Sequence, residues 1–264
     1  MIWQIILFAS ISGLLGSVLG GLIVVVFKKP SKGLIGVAFA FASAVLLSLV
    51  FLDFIPHAIG DCDEHGGAGI WLALVGIIVG FGAVFLLKLF DKHGHEHVHG
   101  VFPHSEDCSH GSVSSEKRRF ITVALIVSVA IVLHDFPKGM AIGASGSLWV
   151  AVAIGLGCFP EGMAMAMPLK AGGVKNWKTL GICTLAGLST VVGAIIGYYT
   201  GGLGEVASGM ILAFAAGCII GVVFMEMLPL SFEWTKNRQL LVLAIAMGVI
   251  IVVLMNYFLH DIAY

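Results

Sequence analysis

This sequence predicts an all-α membrane protein, and three observations carry the prediction. Hydrophobic residues make up 59% of the chain and charged residues only 11%. With a mean hydropathy of +1.05, a soluble fold is excluded. Eight apolar stretches, near 3–27, 34–58, 69–90, 120–143, 147–169, 179–200, 206–231 and 240–260, each supply the roughly 20 residues that a bilayer crossing needs. Basic residues then fall on alternate connections, as membrane topology requires. The 35 glycines suit helices packed closely within a bilayer.

The charges order the spans. Lys28, Lys29 and Lys32 lie between spans 1 and 2, and Lys88, Lys92, Lys117, Arg118 and Arg119 at or between spans 3 and 4. Lys170, Lys175 and Lys178 lie between spans 5 and 6, and Lys236 and Arg238 between spans 7 and 8. The other connections (Asp61-Cys62-Asp63-Glu64, Ala144-Ser145-Gly146 and Gly201-Gly202-Leu203-Gly204) carry none. The positive-inside rule therefore places both termini outside, in a plasma-membrane protein. Only Lys138 departs from this scheme, and it must lie within the membrane. The first apolar run has no basic residue before it and exceeds a signal-peptide core, so it is expected to stay as a helix. The cysteines at 62, 108, 158, 183 and 218 show no pairing pattern, so no disulfide framework is expected.

Two repeats organise the spans. Residues 41–56 (FASAVLLSLVFLDFIP) align without gaps on 214–229 (FAAGCIIGVVFMEMLP), matching Asp53 with Glu226 and Pro56 with Pro229. Spans 2 and 7 run in opposite directions, so an inversion relates them. Spans 4 and 5 carry a second duplicate, His134-Asp135-Phe136-Pro137-Lys138-Gly139-Met140-Ala141 and Gly157-Cys158-Phe159-Pro160-Glu161-Gly162-Met163-Ala164. A 3+2+3 plan follows for a single domain over 1–264: spans 1–3 repeat inverted as 6–8 around a Pro-kinked central pair. Inverted repeats with interrupted helices at the midplane point to a secondary transporter.

Ionisable side chains belong to the central pair. A charge at the middle of a membrane helix costs at least about 2.5–3.5 kcal/mol, so it calls for a partner or a pathway. Lys138 and Glu161 are equivalent positions of opposite sign. His134 and Lys138 share a face at i and i+4, Asp135 and Lys138 at i and i+3, and Cys158 and Glu161 likewise. Pro137 and Pro160 each remove a backbone donor, freeing the Leu133 and Leu156 carbonyls. Imidazole, thiol and carboxylate together suit a late transition metal, so His134, Asp135, Cys158 and Glu161 are the expected ligands, with Lys138 compensating charge. A kinked pair held by a buried Lys–Glu bridge, with no ion, would give the same pattern.

Two further groups are singled out. Asp53, His57 and Glu226 are expected near the outer helix ends, as an access point or a second site. A cytoplasmic loop at 91–119 holds His93, His95, His97, His99, His104 and His110, a composition suited to divalent metals.

At HDFPKGMA, CFPEGMA and the endings FLDFIP and FMEMLP the chain resembles the ZIP (Zrt/Irt-like) family of divalent-metal transporters. The resemblance covers essentially the whole chain. It implies eight spans in a 3+2+3 arrangement, outward termini, a His-rich loop between spans 3 and 4, and a metal site between spans 4 and 5. His134 and Glu161 match the family's ligands and Asp135 replaces an asparagine. Lys138 stands where a metal-bridging glutamate is usual, and Gly157 where a polar ligand is usual. Near Thr190 the family carries a glutamate that is missing here. The Lys138 ammonium can take the place of a second cation, leaving room for one metal ion.

The reading that follows is transport of a divalent transition-metal ion, zinc first and iron or manganese next, toward the cytoplasm. The metal is cargo; no prosthetic group is expected. The alternative is a non-transporting relative acting as metal sensor, regulator or partner subunit. An intramembrane serine protease would need Gly143-Ala144-Ser145-Gly146 to meet a histidine, and no later span offers one except His260 at its end. Expected partners are the lipid bilayer, the ion and a second copy in a homodimer; no basic patch suggests nucleic acid.

Overall fold

A computed structural model describes residues 2–26, 30–62, 69–93, 111–145, 148–199 and 204–263. They form eight helical rods and, among the described residues, no strand. These are α1 (Ile2–Val26) and α2 (Lys32–Cys62), α3 (Gly69–His93), α4 (Gly111–Ser145), α5 (Leu148–Ala171) and α6 (Asn176–Tyr199). After them, α7 runs through Glu205–Val222, Val223–Met227 and Leu228–Trp234, and α8 is Arg238–Ala263. Seven are long and apolar enough to cross a membrane, and α5 has 24 residues. Their outer faces carry large apolar side chains such as Trp3, Ile78 and Val242, the surface that lipid rather than water covers.

Local chemistry sets the helix ends. Ser31 caps α2 by accepting the Leu34 N–H at 3.2 Å. After α5, Gly173 takes φ +85°, and the Val174 N–H returns to the Leu169 carbonyl at 3.0 Å. The expected loop at 91–119 is shorter than its composition suggested, because α3 continues to His93 and α4 already begins at Gly111. Glu116, Lys117, Arg118 and Arg119 are good helix formers, and extending an existing helix is cheap once it is nucleated. His95, His97, His99, His104 and His110 lie outside the described residues, as does the side chain of His93.

The departures from α-geometry are not at the central prolines. Helices α4 and α5 stay α-helical through Pro137 and Pro160. Instead, π-helical turns occupy Val50–Phe54 in α2 and Val223–Met227 in α7, with a third at Ser10–Leu15 in α1. The first two fall on matching positions of the aligned repeats, and each closes just ahead of its proline, Pro56 or Pro229. Shifting to a π-turn lets the helix absorb the carbonyl that the proline cannot satisfy.

Packing relations come in exchanged pairs. Helix α4 packs on α6 as α5 packs on α1; α3 packs on α7 as α8 packs on α2; α4 meets α7 as α5 meets α2. The helices α1, α4, α5 and α6 close a ring. Backbone-to-backbone contact makes the correspondence atomic. A methyl group on Gly139 would run into the Thr190 carbonyl, and one on Gly162 into the Ser17 carbonyl. Gly193 lies against the Phe136 carbonyl as Gly20 lies against that of Phe159. Ser17 corresponds to Thr190, and Gly20 to Gly193, at the same offset that relates 41–56 to 214–229. The α4 and α5 positions correspond at the offset of the duplicated FPxGMA motif.

Candidate metal centre

His134, Asp135 and Lys138 on α4 meet Glu161 on α5 in the interior of the bundle, where none of the four is more than 2% exposed. Lys138 Nζ donates to Glu161 Oε1 at 2.6 Å and to Asp135 Oδ1 at 3.2 Å. His134 Nε2 lies 3.3 Å from Glu161 Oε1 and 3.6 Å from Asp135 Oδ1. His134, Asp135 and Glu161 each offer a ligand atom, and the three atoms lie within 4.8 Å of one another.

The imidazole is oriented by its own helix. Nδ1–H donates to the Ala130 carbonyl at 2.9 Å, so a neutral ring turns the lone pair of Nε2 toward the carboxylates. Asp135 Oδ2 and Glu161 Oε2 are buried without a hydrogen-bond partner, leaving each carboxylate an oxygen for a ligand. Two carboxylates, one ammonium and a neutral imidazole sum to a net charge of −1. The group can therefore attract one divalent ion, while Lys138 already occupies oxygens that a second would need.

Cys158 is buried on α5 against Gly16 of α1, and its thiol interacts with Glu161, although it is not one of the three residues whose ligand atoms lie within 4.8 Å of one another. Gly143 of the GASG segment serves as a packing residue, against the Ala194 carbonyl of α6.

Asp53 and Glu226 do not share an end of the molecule, contrary to the expectation that both lie near the outer side. The Thr235 hydroxyl donates to the Gly33 carbonyl at 3.1 Å, and Cys62 reaches the Val206 carbonyl at 3.8 Å, so α2 and α7 are antiparallel. In this register Asp53 is level with Ala215 on α7, three turns of helix from Glu226, or about 16 Å along the axis. The antiparallel packing of α2 and α7 is the cause, because matched positions of two antiparallel helices fall on opposite sides of their common midpoint. Each acid has its own partner. His57 Nδ1 lies 3.2 Å from Asp53 Oδ1 and 2.8 Å from the Asp53 carbonyl. Lys88 of α3 donates to Glu226 Oε1 and to the Met225 carbonyl, both at 2.8 Å. Met225 O is the carbonyl released by Pro229. Sequence reading missed Lys88 in this role, and its one signal was a place at the basic end of span 3.

The sequence pattern of the ZIP zinc transporter family matches residues 3–256. The chain belongs to the ZIP zinc transporter family. It is 32% identical over 232 residues to the zinc transporter ZupT of Corynebacterium glutamicum, covering 83% of this chain and 86% of that protein. With the ZupT of Corynebacterium efficiens it shares 30% identity over 255 residues, 90% of this chain and 92% of the other. The zinc transporter ZTP29 of Arabidopsis thaliana is 30% identical over 246 residues, with 87% and 86% covered. ZIP membership and the apolar helices make this an integral membrane protein that transports divalent metal.

Proposed function

We propose that this ZIP protein carries zinc, or a similar divalent transition-metal ion, toward the cytoplasm through a single-ion site formed by His134, Asp135 and Glu161. The observation that carries the reading is the buried group itself: three ligand atoms within 4.8 Å, with two carboxylate oxygens unpartnered. Lys138 compensates one of the two negative charges, so the ion is held weakly enough to leave. Conduction needs that balance. The exchanged packing pairs support a 3+2+3 inverted repeat, with rocking of one set of helices against the other alternating access. The inward direction and outward termini rest on the placement of the basic residues. On this reading Asp53 and His57 belong to the outer side and Glu226 to the inner side, ahead of the loop histidines. The names of the relatives above, zinc transporters all, favour zinc and lend nothing to a non-transporting regulator.

The test is uptake of radiolabelled zinc into proteoliposomes holding the wild type, Glu161→Ala or Lys138→Glu. Flux in the wild type and none in Glu161→Ala is expected. Undiminished flux in Glu161→Ala would remove the site from the pathway. Silence in the wild type with flux in Lys138→Glu would instead make the lysine a plug.

A further inference from the structure

The eight helices divide into two sets. Helices α1, α4, α5 and α6 close the ring that holds the buried group, and α2, α3, α7 and α8 pack among themselves as a frame. The sets meet chiefly along two seams, α4 on α7 and α5 on α2, which the exchanged packing pairs make equivalent. Ion pairs outside the buried group differ in what they join. Lys88–Glu226 ties two frame helices, and Asp53–His57 stays within α2. Arg119–Glu233 crosses a seam, from α4 of the ring to α7 of the frame.

That crossing has two parts. Arg119 donates from both terminal nitrogens to the two Glu233 carboxylate oxygens, at 2.7 and 2.6 Å. This fork-to-fork geometry gives an exposed ion pair its best hold. Lys32, at the start of α2, adds its charge to the pull on Glu233. One residue along each helix, the Phe120 and Trp234 side chains lie with centroids 5.0 Å apart, and Phe39 of α2 stacks on Trp234 at 5.9 Å. All three are buried, at separations where aromatic pairs attract. The other seam has no counterpart. At the offset of the duplicated motif, Arg119 and Phe120 correspond to Ile142 and Gly143, which precede the start of α5 at Leu148. On α2 the offset of the aligned repeats puts Gly60 and Asp61 where α7 has Glu233 and Trp234, and a methyl group on Gly60 would meet nothing within 4 Å. Among the described residues, then, the seams are clasped at one end of the molecule, the end that carries Lys32, Lys117, Arg118, Lys236 and Arg238.

We propose that Arg119–Glu233, with Phe120 seated on Trp234, is a latch between ring and frame, and that the buried group opens to the basic side of the membrane only when this latch is released. The proposal rests on the reading that the two sets of helices rock against each other. Below the latch, Phe120, Val123, Val127 and Ile131 form one buried stripe of α4 at helical spacing, in a cluster shared with Met227 and Leu230 of α7. While the latch holds, that stripe leaves an ion no polar route along the seam. An exposed ion pair biases an equilibrium by about fivefold at most. That is enough to keep the seam shut most of the time and little enough for thermal release. Trp234 keeps its place on Phe39 of the frame when Phe120 leaves it, so α4 has a fixed seat to return to.

The test follows opening of the seam directly. Full-length protein in lipid nanodiscs carries Val127→Cys, a buried position about 10 Å below Phe120 along α4, and its labelling by a water-soluble maleimide is timed. The same proteins with Val127 retained give the background from the natural cysteines. Arg119→Glu, Glu233→Arg and the swap that combines them are compared with the parent. Labelling should be slow in the parent, about fivefold faster in each single variant, and slow again in the swap, where the pair is restored with its charges exchanged. Equal rates in all four proteins would overturn the latch and leave the rocking of the helices standing. A swap as fast as the single variants would also overturn it, by assigning the effect to damage rather than to the pair. No labelling of any variant would overturn the latch together with the rocking on which it rests. Labelling needs no ion flux, so each of these outcomes is separate from the fate of the metal site, which uptake by Glu161→Ala decides.

Discussion

Lys138 Nζ lies 2.6 Å from Glu161 Oε1, and both side chains are shut away from solvent. The two residues hold the same place in a duplicated motif, so a symmetric pair of helices has been given opposite charges at its crossing. Removing one partner of a buried pair leaves the other uncompensated, which costs about 3–5 kcal/mol.

That cost makes Lys138→Met informative. The zinc-free variant should unfold at a lower temperature, by the equivalent of about 3–5 kcal/mol, since Asp135 and Glu161 then lack a countercharge. Zinc should restore much of the loss, because a ligand that binds only the native state stabilises it in proportion to its affinity. Thermal unfolding with zinc and with a chelator measures this. Equal zinc-induced shifts in wild type and variant would show that the ion does not compete with the ammonium.

Lys138→Glu replaces a cation by a ligand. Bound zinc per protein should rise from one to two, measured by elemental analysis of protein equilibrated with the metal. A ratio that stays at one would mean that Lys138 does not occupy the second ion's place.

The glycine contacts predict a matched pair of failures. Gly139→Ala and Gly162→Ala each place a methyl group against a backbone carbonyl of the neighbouring helix, so both should destabilise by at least about 1–3 kcal/mol. Gly60→Ala and Gly82→Ala meet nothing within 4 Å and should be neutral or slightly stabilising in their helices. The readout is Tm in detergent. Tolerance at only one of the matched pair would break the equivalence of the two interfaces.

Lys88→Met separates Glu226 from its partner. The Lys88 side chain remains 44% exposed, so the pair itself should contribute less than about 1 kcal/mol. A larger loss of Tm would show that the bond to the Met225 carbonyl, freed by Pro229, holds the π-turn in shape.

The local and the repeated were legible in the chain. Hydropathy predicts helices because unbroken apolar stretches of about 20 residues can satisfy all their backbone hydrogen bonds within a bilayer only by coiling on themselves. The gapless match of 41–56 on 214–229 paired Asp53 with Glu226 and Pro56 with Pro229, and the FPxGMA duplicate announced the meeting of Lys138 with Glu161; the π-turns ahead of the two prolines were not legible in it. Only the tertiary structure decided what depends on register between helices. It set Asp53 and Glu226 about three turns apart along the antiparallel α2 and α7, and joined Glu226 of α7 to Lys88 of α3. Helix formation is a matter of neighbours in sequence, whereas the axial level of one helix against another is fixed by which glycine admits which carbonyl.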